Sequence, residues 1–120
     1  MFTIYHNARC SKSRLTLALL EEMADKYGNT VTIVEYLKTP LSREKITSLL
    51  VQLNCTAIDM MRIKEAEFKE QKLKGASEDE LITAMVNTPK LIERPIVSDN
   101  KNAIIGRPPE NVLSLFTEND

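Results

Sequence analysis

The 120-residue chain predicts an α/β fold built on a mixed β-sheet. Two observations carry that prediction. Over residues 2–36 a strand pattern, a helix pattern and a second strand pattern follow one another. That order is a βαβ unit, whose strands are parallel and whose crossover is right-handed in ≈ 98% of cases. After a run of helices, residues 95–116 read strand, loop, strand, helix, and a hairpin is antiparallel. The expected architecture is therefore a mixed sheet flanked by helices, with a helical insertion between a βαβ half and a ββα half.

Each element has its own signal. Phe2-Thr3-Ile4-Tyr5 is β-prone without clean alternation, the pattern of a strand buried on both faces. A helix follows from Ser11, with Leu15, Leu19 and Met23 at helical spacing and Leu17, Leu20 and Ala24 beside them. Tyr27-Gly28-Asn29 ends it, because Gly and Asn accept the left-handed backbone of a C-cap. Val31-Thr32-Ile33-Val34-Glu35-Tyr36 is the clearest strand of the chain. Thr39-Pro40 stops it, and Ser42 with Glu44 opens a second helix as N-cap and first-turn acid. The core stripe of that helix is Ile46, Leu49, Leu50 and Leu53.

From Ala57 to Lys74, Ile58, Met60, Met61, Ile63 and Phe68 are scattered among charges, which predicts short helices packed loosely against the body. Gly75 breaks them. Ser77 and Glu80 make a capping box for a helix through Leu81, Ile82, Met85 and Val86, which Pro89 closes. Pro95-Ile96-Val97 and Ala103-Ile104-Ile105 flank the hairpin loop. Pro108-Pro109 suits the first turn of a last helix containing Val112, Leu113 and Phe116, where the missing N–H would be unpaired anyway.

The length predicts one domain over residues 1–120, with a core that buries about two-thirds of the unfolded chain's surface. A net charge of -1 offers no electrostatic footprint for a nucleic acid or an anionic membrane. The chain has no apolar run long enough to span a bilayer and no basic-then-apolar leader, which predicts a cytoplasmic protein. In that reducing compartment Cys10 and Cys55 are expected as free thiols.

Cys10 is the strongest candidate for chemistry. It lies between the first strand and the first helix, where unpaired N–H groups and the positive end of the helix dipole stabilise an anion. In such a place a thiol pKa of about 8.5 can fall to roughly 3.5–7.5. Arg9, Lys12 and Arg14 surround it, and His6, the only histidine, can position the thiol, raise the local charge or accept its proton. Ser13 stands where a CxxC motif would have its second cysteine. Cys10 must therefore turn to an external thiol, and Ser13 can instead donate a hydrogen bond to the thiolate. His6 and Cys10 alone are too few ligands for zinc, so no metal site is expected. A phosphatase loop would need arginine six residues after the cysteine, where this chain has Thr16. Cys55, among Leu53, Ala57 and Ile58, reads as packing.

Three arginines give the second signal. Arg62 interrupts the apolar run Met60-Met61-Arg62-Ile63, and Arg94 and Arg107 immediately precede Pro95 and Pro108. Proline restricts the backbone beside it and so aims a neighbouring side chain reproducibly. Guanidiniums that converge on a thiolate would bind a tetrahedral oxyanion through forked hydrogen bonds.

From Ile4 to about Leu115 the chain resembles the glutaredoxin-type arsenate reductase family of small thioredoxin-fold proteins. The resemblance rests on His6-Asn7-Ala8-Arg9-Cys10-Ser11-Lys12-Ser13-Arg14, Tyr36-Leu37-Lys38-Thr39-Pro40, Asn87-Thr88-Pro89-Lys90-Leu91-Ile92, Glu93-Arg94-Pro95-Ile96-Val97 and Gly106-Arg107-Pro108-Pro109-Glu110. It implies that Cys10 is the nucleophile, that His6 and Ser13 help to hold it as thiolate, and that Arg62, Arg94 and Arg107 bind the oxyanion. It further implies a cis-proline at Pro95. The implied reaction reduces arsenate to arsenite through a covalent adduct on Cys10, with glutathione as cosubstrate, glutaredoxin as the partner and no bound cofactor. Ala8 departs from the proline usual in the family, and Lys12 adds a cation. Two alternatives accompany this reading: a redox-responsive regulator that binds RNA polymerase, and a monothiol glutathione-dependent oxidoreductase acting on other substrates.

Overall fold

A computed structural model describes residues 1–116; residues 117–120, the end of the expected 1–120 domain, lie outside the described residues. Strands β1 (Phe2–Tyr5), β2 (Val31–Val34), β3 (Ile96–Ser98) and β4 (Ala103–Ile105) form one sheet in the order β2-β1-β3-β4. β1 is parallel to β2 and antiparallel to β3, and β3 and β4 make the hairpin, so the sheet is mixed. The helices are α1 (Ser11–Lys26), α2 (Arg43–Leu53), α3 (Ala66–Glu70) and α4 (Glu78–Asn87), and 3-10 segments at Ala57–Met60, Pro89–Leu91 and Pro109–Phe116 follow α2, α4 and β4.

Local chemistry sets most boundaries. Ser42 Oγ accepts from the Lys45 N–H at 3.1 Å and starts α2, which ends on Asn54 in the left-handed region. The reciprocal Ser77–Glu80 box starts α4, and a similar box of Thr56 and Asp59 starts the 3-10 segment after α2. Gly28 takes positive φ just past the end of α1, and Gly75 takes it in the turn before α4.

The central strands bury both faces. Phe2, Ile4 and Val97 pack with Leu20 and Ala24 of α1 and with Val112, while Tyr5 and Ile96 face a larger cluster under α2 and α4. Phe116 closes the smaller cluster, its ring 4.7 Å from that of Phe2. β2 lies at the sheet edge and ends at Val34, short of the predicted Tyr36; there the Lys38 and Thr39 N–H groups both turn back onto the Glu35 carbonyl. Tyr36 leaves the strand and buries itself in the larger core.

Three expectations need correction. The buried stripe of α1 is Ser13, Thr16, Leu20 and Ala24, and Leu15 is 60% exposed. The first two turns of α1 meet a polar loop, so hydrophobic periodicity alone selects the wrong face. The stretch from Ala57 to Lys74 is not loosely packed: Ala57, Met60, Met61, Phe68 and Leu73 all belong to the larger core. The last helix is a 3-10 segment. Among the described residues, no helix is long and apolar enough to cross a membrane.

Candidate active site

The end of β1 delivers Tyr5 and His6 into a short loop, and Cys10 is the N-cap of α1. The loop is pinned from within. The Cys10 N–H donates to the Asn7 carbonyl at 3.0 Å, the Arg9 N–H to Asn7 Oδ1 at 3.0 Å, and Arg14 Nη1 to the Ala8 carbonyl at 2.9 Å. These bonds constrain a loop that has alanine at position 8.

Ser13 anchors the loop from the buried face of α1. Its Oγ accepts from the Asn7 N–H at 3.1 Å and pairs with His6 Nδ1 at 2.7 Å. Burial holds the His6 pKa below its ordinary value, the nearby Arg14 charge adds to that, and Glu35 and Glu21 oppose it. A neutral ring can accept the Ser13 proton at Nδ1. The serine hydroxyl is thus committed to His6 and Asn7, and Ser13 reaches Cys10 through its backbone N–H.

Cys10 is half-buried, and burial alone would push its thiol up. That is outweighed by the Ser13 N–H, by the Arg94 guanidinium beside the sulfur and by the Lys12 N–H, so the pKa is lowered. A half-buried thiolate held by helix-start amides and a cation is a nucleophile. Cys55, by contrast, is pushed up by burial and by the carboxylates of Asp59 and Glu78.

Arg94 precedes a cis peptide bond to Pro95, as the resemblance implied; Arg107–Pro108 is also cis. Nε and Nη1 of Arg94 are buried and have no hydrogen-bond partner among the described residues. Arg62 and Arg107 line a neighbouring cavity of about 580 Å³, together with Glu65, Glu93 and Asn111. A bridge between Met61 and Ile92 places this wall: the Arg62 N–H donates to the Leu91 carbonyl at 2.7 Å, and the Glu93 N–H to the Met60 carbonyl at 2.8 Å. Asn111 Nδ2 donates to the Ile105 and Arg107 carbonyls and fixes the backbone on the other side. The structure therefore brings Arg94 to Cys10 and pairs Arg62 with Arg107 across the adjacent cavity.

The sequence alone assigns no role to several residues here. Tyr36 is buried and its phenol is pushed up to about 12 by burial; Arg94 and Arg62 pull it down, while Cys10 and Glu93 push it further up. It therefore feels the charges of both parts of the site. Glu65 and Glu93 pair with Arg62 and Arg107. Gly106 sits where a Cβ would fall 2.6 Å from Thr16 Cγ2 and 3.2 Å from Pro95 Cγ. The Gly106 N–H donates to the Pro95 carbonyl, and Thr16 Oγ1 donates to the Gly106 carbonyl, both at 2.9 Å. That contact presses the Pro95 loop against α1, beside Cys10. In the sequence Gly106 stands out only as a glycine after a strand and as the first residue of the Gly106-Arg107-Pro108-Pro109-Glu110 segment, neither of which shows the contact. Among the described residues, no group of three or more His, Cys, Asp or Glu is placed to hold a metal ion.

A four-stranded mixed sheet with a cysteine capping the first helix, and an arginine from the start of the hairpin beside it, defines a thiol protein of the thioredoxin-like α/β fold. Residues 5–115 match the ArsC family, and the chain belongs to that family. It is 50% identical over 115 residues to the uncharacterized protein YfgD of Escherichia coli (strain K12), with 93% of each chain covered. It is 41% identical to an arsenate reductase of Neisseria meningitidis, covering 94% of this chain and 96% of that one. A solved structure, an arsenate reductase from Vibrio cholerae, superposes with a TM-score of 0.87 at 47% identity, covering 94% of this chain and 95% of its own.

Proposed function

We propose that this protein is an arsenate reductase that works through Cys10 and draws its electrons from glutathione and glutaredoxin. The observation that carries the reading is the pairing of a lowered Cys10 thiol with Arg94, whose remaining buried nitrogens have no partner among the described residues. A guanidinium in that position can hold an oxyanion by forked hydrogen bonds against the sulfur that attacks it. Arsenate reductase is the name carried by the Neisseria relative and by the Vibrio structure, which supports the choice of oxyanion.

In this reaction the Cys10 thiolate attacks arsenic, and one oxygen leaves as water. Arg94, Arg62 and Arg107 donate to the remaining oxygens and offset their negative charge. Glutathione then attacks the Cys10 sulfur as the external thiol, the sulfur–arsenic bond breaks with its electron pair leaving on arsenic as arsenite, and the two sulfurs end as a mixed disulfide. Ser13 occupies the place of a resolving cysteine, so a glutaredoxin must restore the Cys10 thiol. His6 is a positioning residue that acts through Ser13 and Asn7. The need for glutathione fits a reducing cytoplasm.

The test is a coupled assay with glutathione, glutaredoxin, glutathione reductase and NADPH. Arsenate-dependent NADPH oxidation is expected, and Cys10→Ser should abolish it. Turnover of the wild-type protein no faster than that of Cys10→Ser would refute the reading.

A further inference from the structure

The three arginines differ in what already holds them. Arg94 has two buried nitrogens without hydrogen-bond partners among the described residues. Arg62 Nη2 meets Glu65 Oε2 at 2.8 Å, and Lys90 braces the other Glu65 oxygen at 3.4 Å. Arg107 Nη1 meets Glu93 Oε1 at only 3.9 Å, with both side chains about a third exposed. The Arg62 pair is short, largely buried and braced, so it fixes a guanidinium. The Arg107 pair is long and partly solvated, so it is weak.

Resting on the oxyanion reading above, we propose that Glu93 is the selectivity residue of this site. When an oxyanion binds, Glu93 yields Arg107 to it and accepts a hydrogen bond from an O–H on the oxyanion. The backbone that carries the carboxylate is held at this wall, because the Glu93 N–H is tied to the Met60 carbonyl and the Met61–Ile92 bridge lies alongside. A negative charge thus stays on the wall of a cavity that two arginines line.

Such a wall sorts tetrahedral anions by their protons. Arsenate and phosphate keep at least one O–H at neutral pH and can donate to the carboxylate. Sulfate has none, so it meets Glu93 with acceptor against acceptor and charge against charge. Glu65 performs no such sorting, because its two oxygens are already engaged by Arg62 and Lys90.

The experiment measures protection of Cys10 from iodoacetamide at pH 7 by phosphate and by sulfate, with Cys55 labelling followed in the same samples as a check on the fold. Phosphate is expected to protect the wild-type protein at a concentration roughly tenfold or more below sulfate, the scale of one hydrogen bond to a charged group. Glu93→Gln should shrink that ratio to near one, because an amide can donate to sulfate. Glu65→Gln should weaken protection by both anions and leave the ratio in place. If neither anion protects the wild-type protein, the oxyanion site itself is refuted. If both protect it equally, or if Glu93→Gln keeps the wild-type ratio, the oxyanion site stands and the role of Glu93 is overturned; an equal wild-type ratio overturns it even where a variant folds poorly.

Discussion

Against burial, two backbone amides and one side chain lower the Cys10 thiol, and only the side chain can be removed by substitution. Because the folded site favours the thiolate, its proton leaves at lower pH than that of a free thiol, near pH 8.5. The alkylation rate of Cys10 against pH should therefore inflect below that value. Arg94→Ala removes the cation and leaves the Ser13 and Lys12 amides against burial, so the inflection should move upward; an unmoved profile would show that Arg94 does not hold the thiolate. Ser13→Ala separates two roles of one residue. It keeps the amide that faces Cys10, so the inflection should stay nearly in place. It strips His6 Nδ1 and the Asn7 N–H of their partner, which should cost about 1–3 kcal/mol in urea unfolding. At this scale the sequence was informative where a residue type is rare or flanked by proline: Cys10, His6, Arg94 and Arg107. It assigned no role to Glu65 and Glu93, because a glutamate near an arginine is the commonest surface pattern and only the fold shows which pairs line a cavity. The expected hydroxyl bond from Ser13 to the thiolate is replaced by one to His6, a choice that depends on how β1 enters α1.

Caps and turns are local, and at the scale of elements they were legible: the Ser42 cap, the Ser77–Glu80 box and the stop at Gly28 all lie where residue chemistry placed them. What failed was the side each element turns inward. On α1 the inward positions begin with Ser13 and Thr16, whose hydroxyls are satisfied by His6 and by the Gly106 carbonyl, so they are polar and yet fully buried. No hydrophobic count finds such a face. The joint between α1 and the hairpin end is its tightest point, since an added Cβ at Gly106 meets Thr16 at 2.6 Å. Gly106→Ala should accordingly destabilise by about 1–3 kcal/mol, as overpacking does. Thr16→Ser deletes the methyl that clashes and keeps the hydroxyl that bonds the Gly106 carbonyl. In the Gly106→Ala background it should recover part of the loss, and urea midpoints of the four proteins measure this directly. Simple additivity of the two changes would mean that the strain lies elsewhere, for instance at Pro95 Cγ.

For the whole molecule, the question is whether the βαβ half, the insertion and the ββα half unfold as one. The two apolar clusters lie on opposite faces of one sheet, and adjacent residues of the same strands feed them: Ile4 and Val97 on one side, Tyr5 and Ile96 on the other. β1 and β3 are the middle strands, so neither cluster can lose its strands without exposing the other. The insertion is tied in as well, because Met60 and Met61 are buried in the larger cluster and their backbone is bonded to the segment that leads into Arg94. One cooperative transition is therefore expected, with helical circular dichroism and Cys55 labelling changing at the same denaturant concentration. Met60→Ala should lower that midpoint by an amount worth about 2–5 kcal/mol and keep the transition single, since Met60 is fully buried. Leu15→Ala, on the exposed side of α1, should change it by no more than about 0.5 kcal/mol. If Met60→Ala instead exposes Cys55 well before the helical signal is lost, the insertion unfolds on its own. Arg62 would then be carried by a segment that can open independently of Cys10 and Arg94, and anion protection of Cys10 would fall at denaturant concentrations where the sheet still stands.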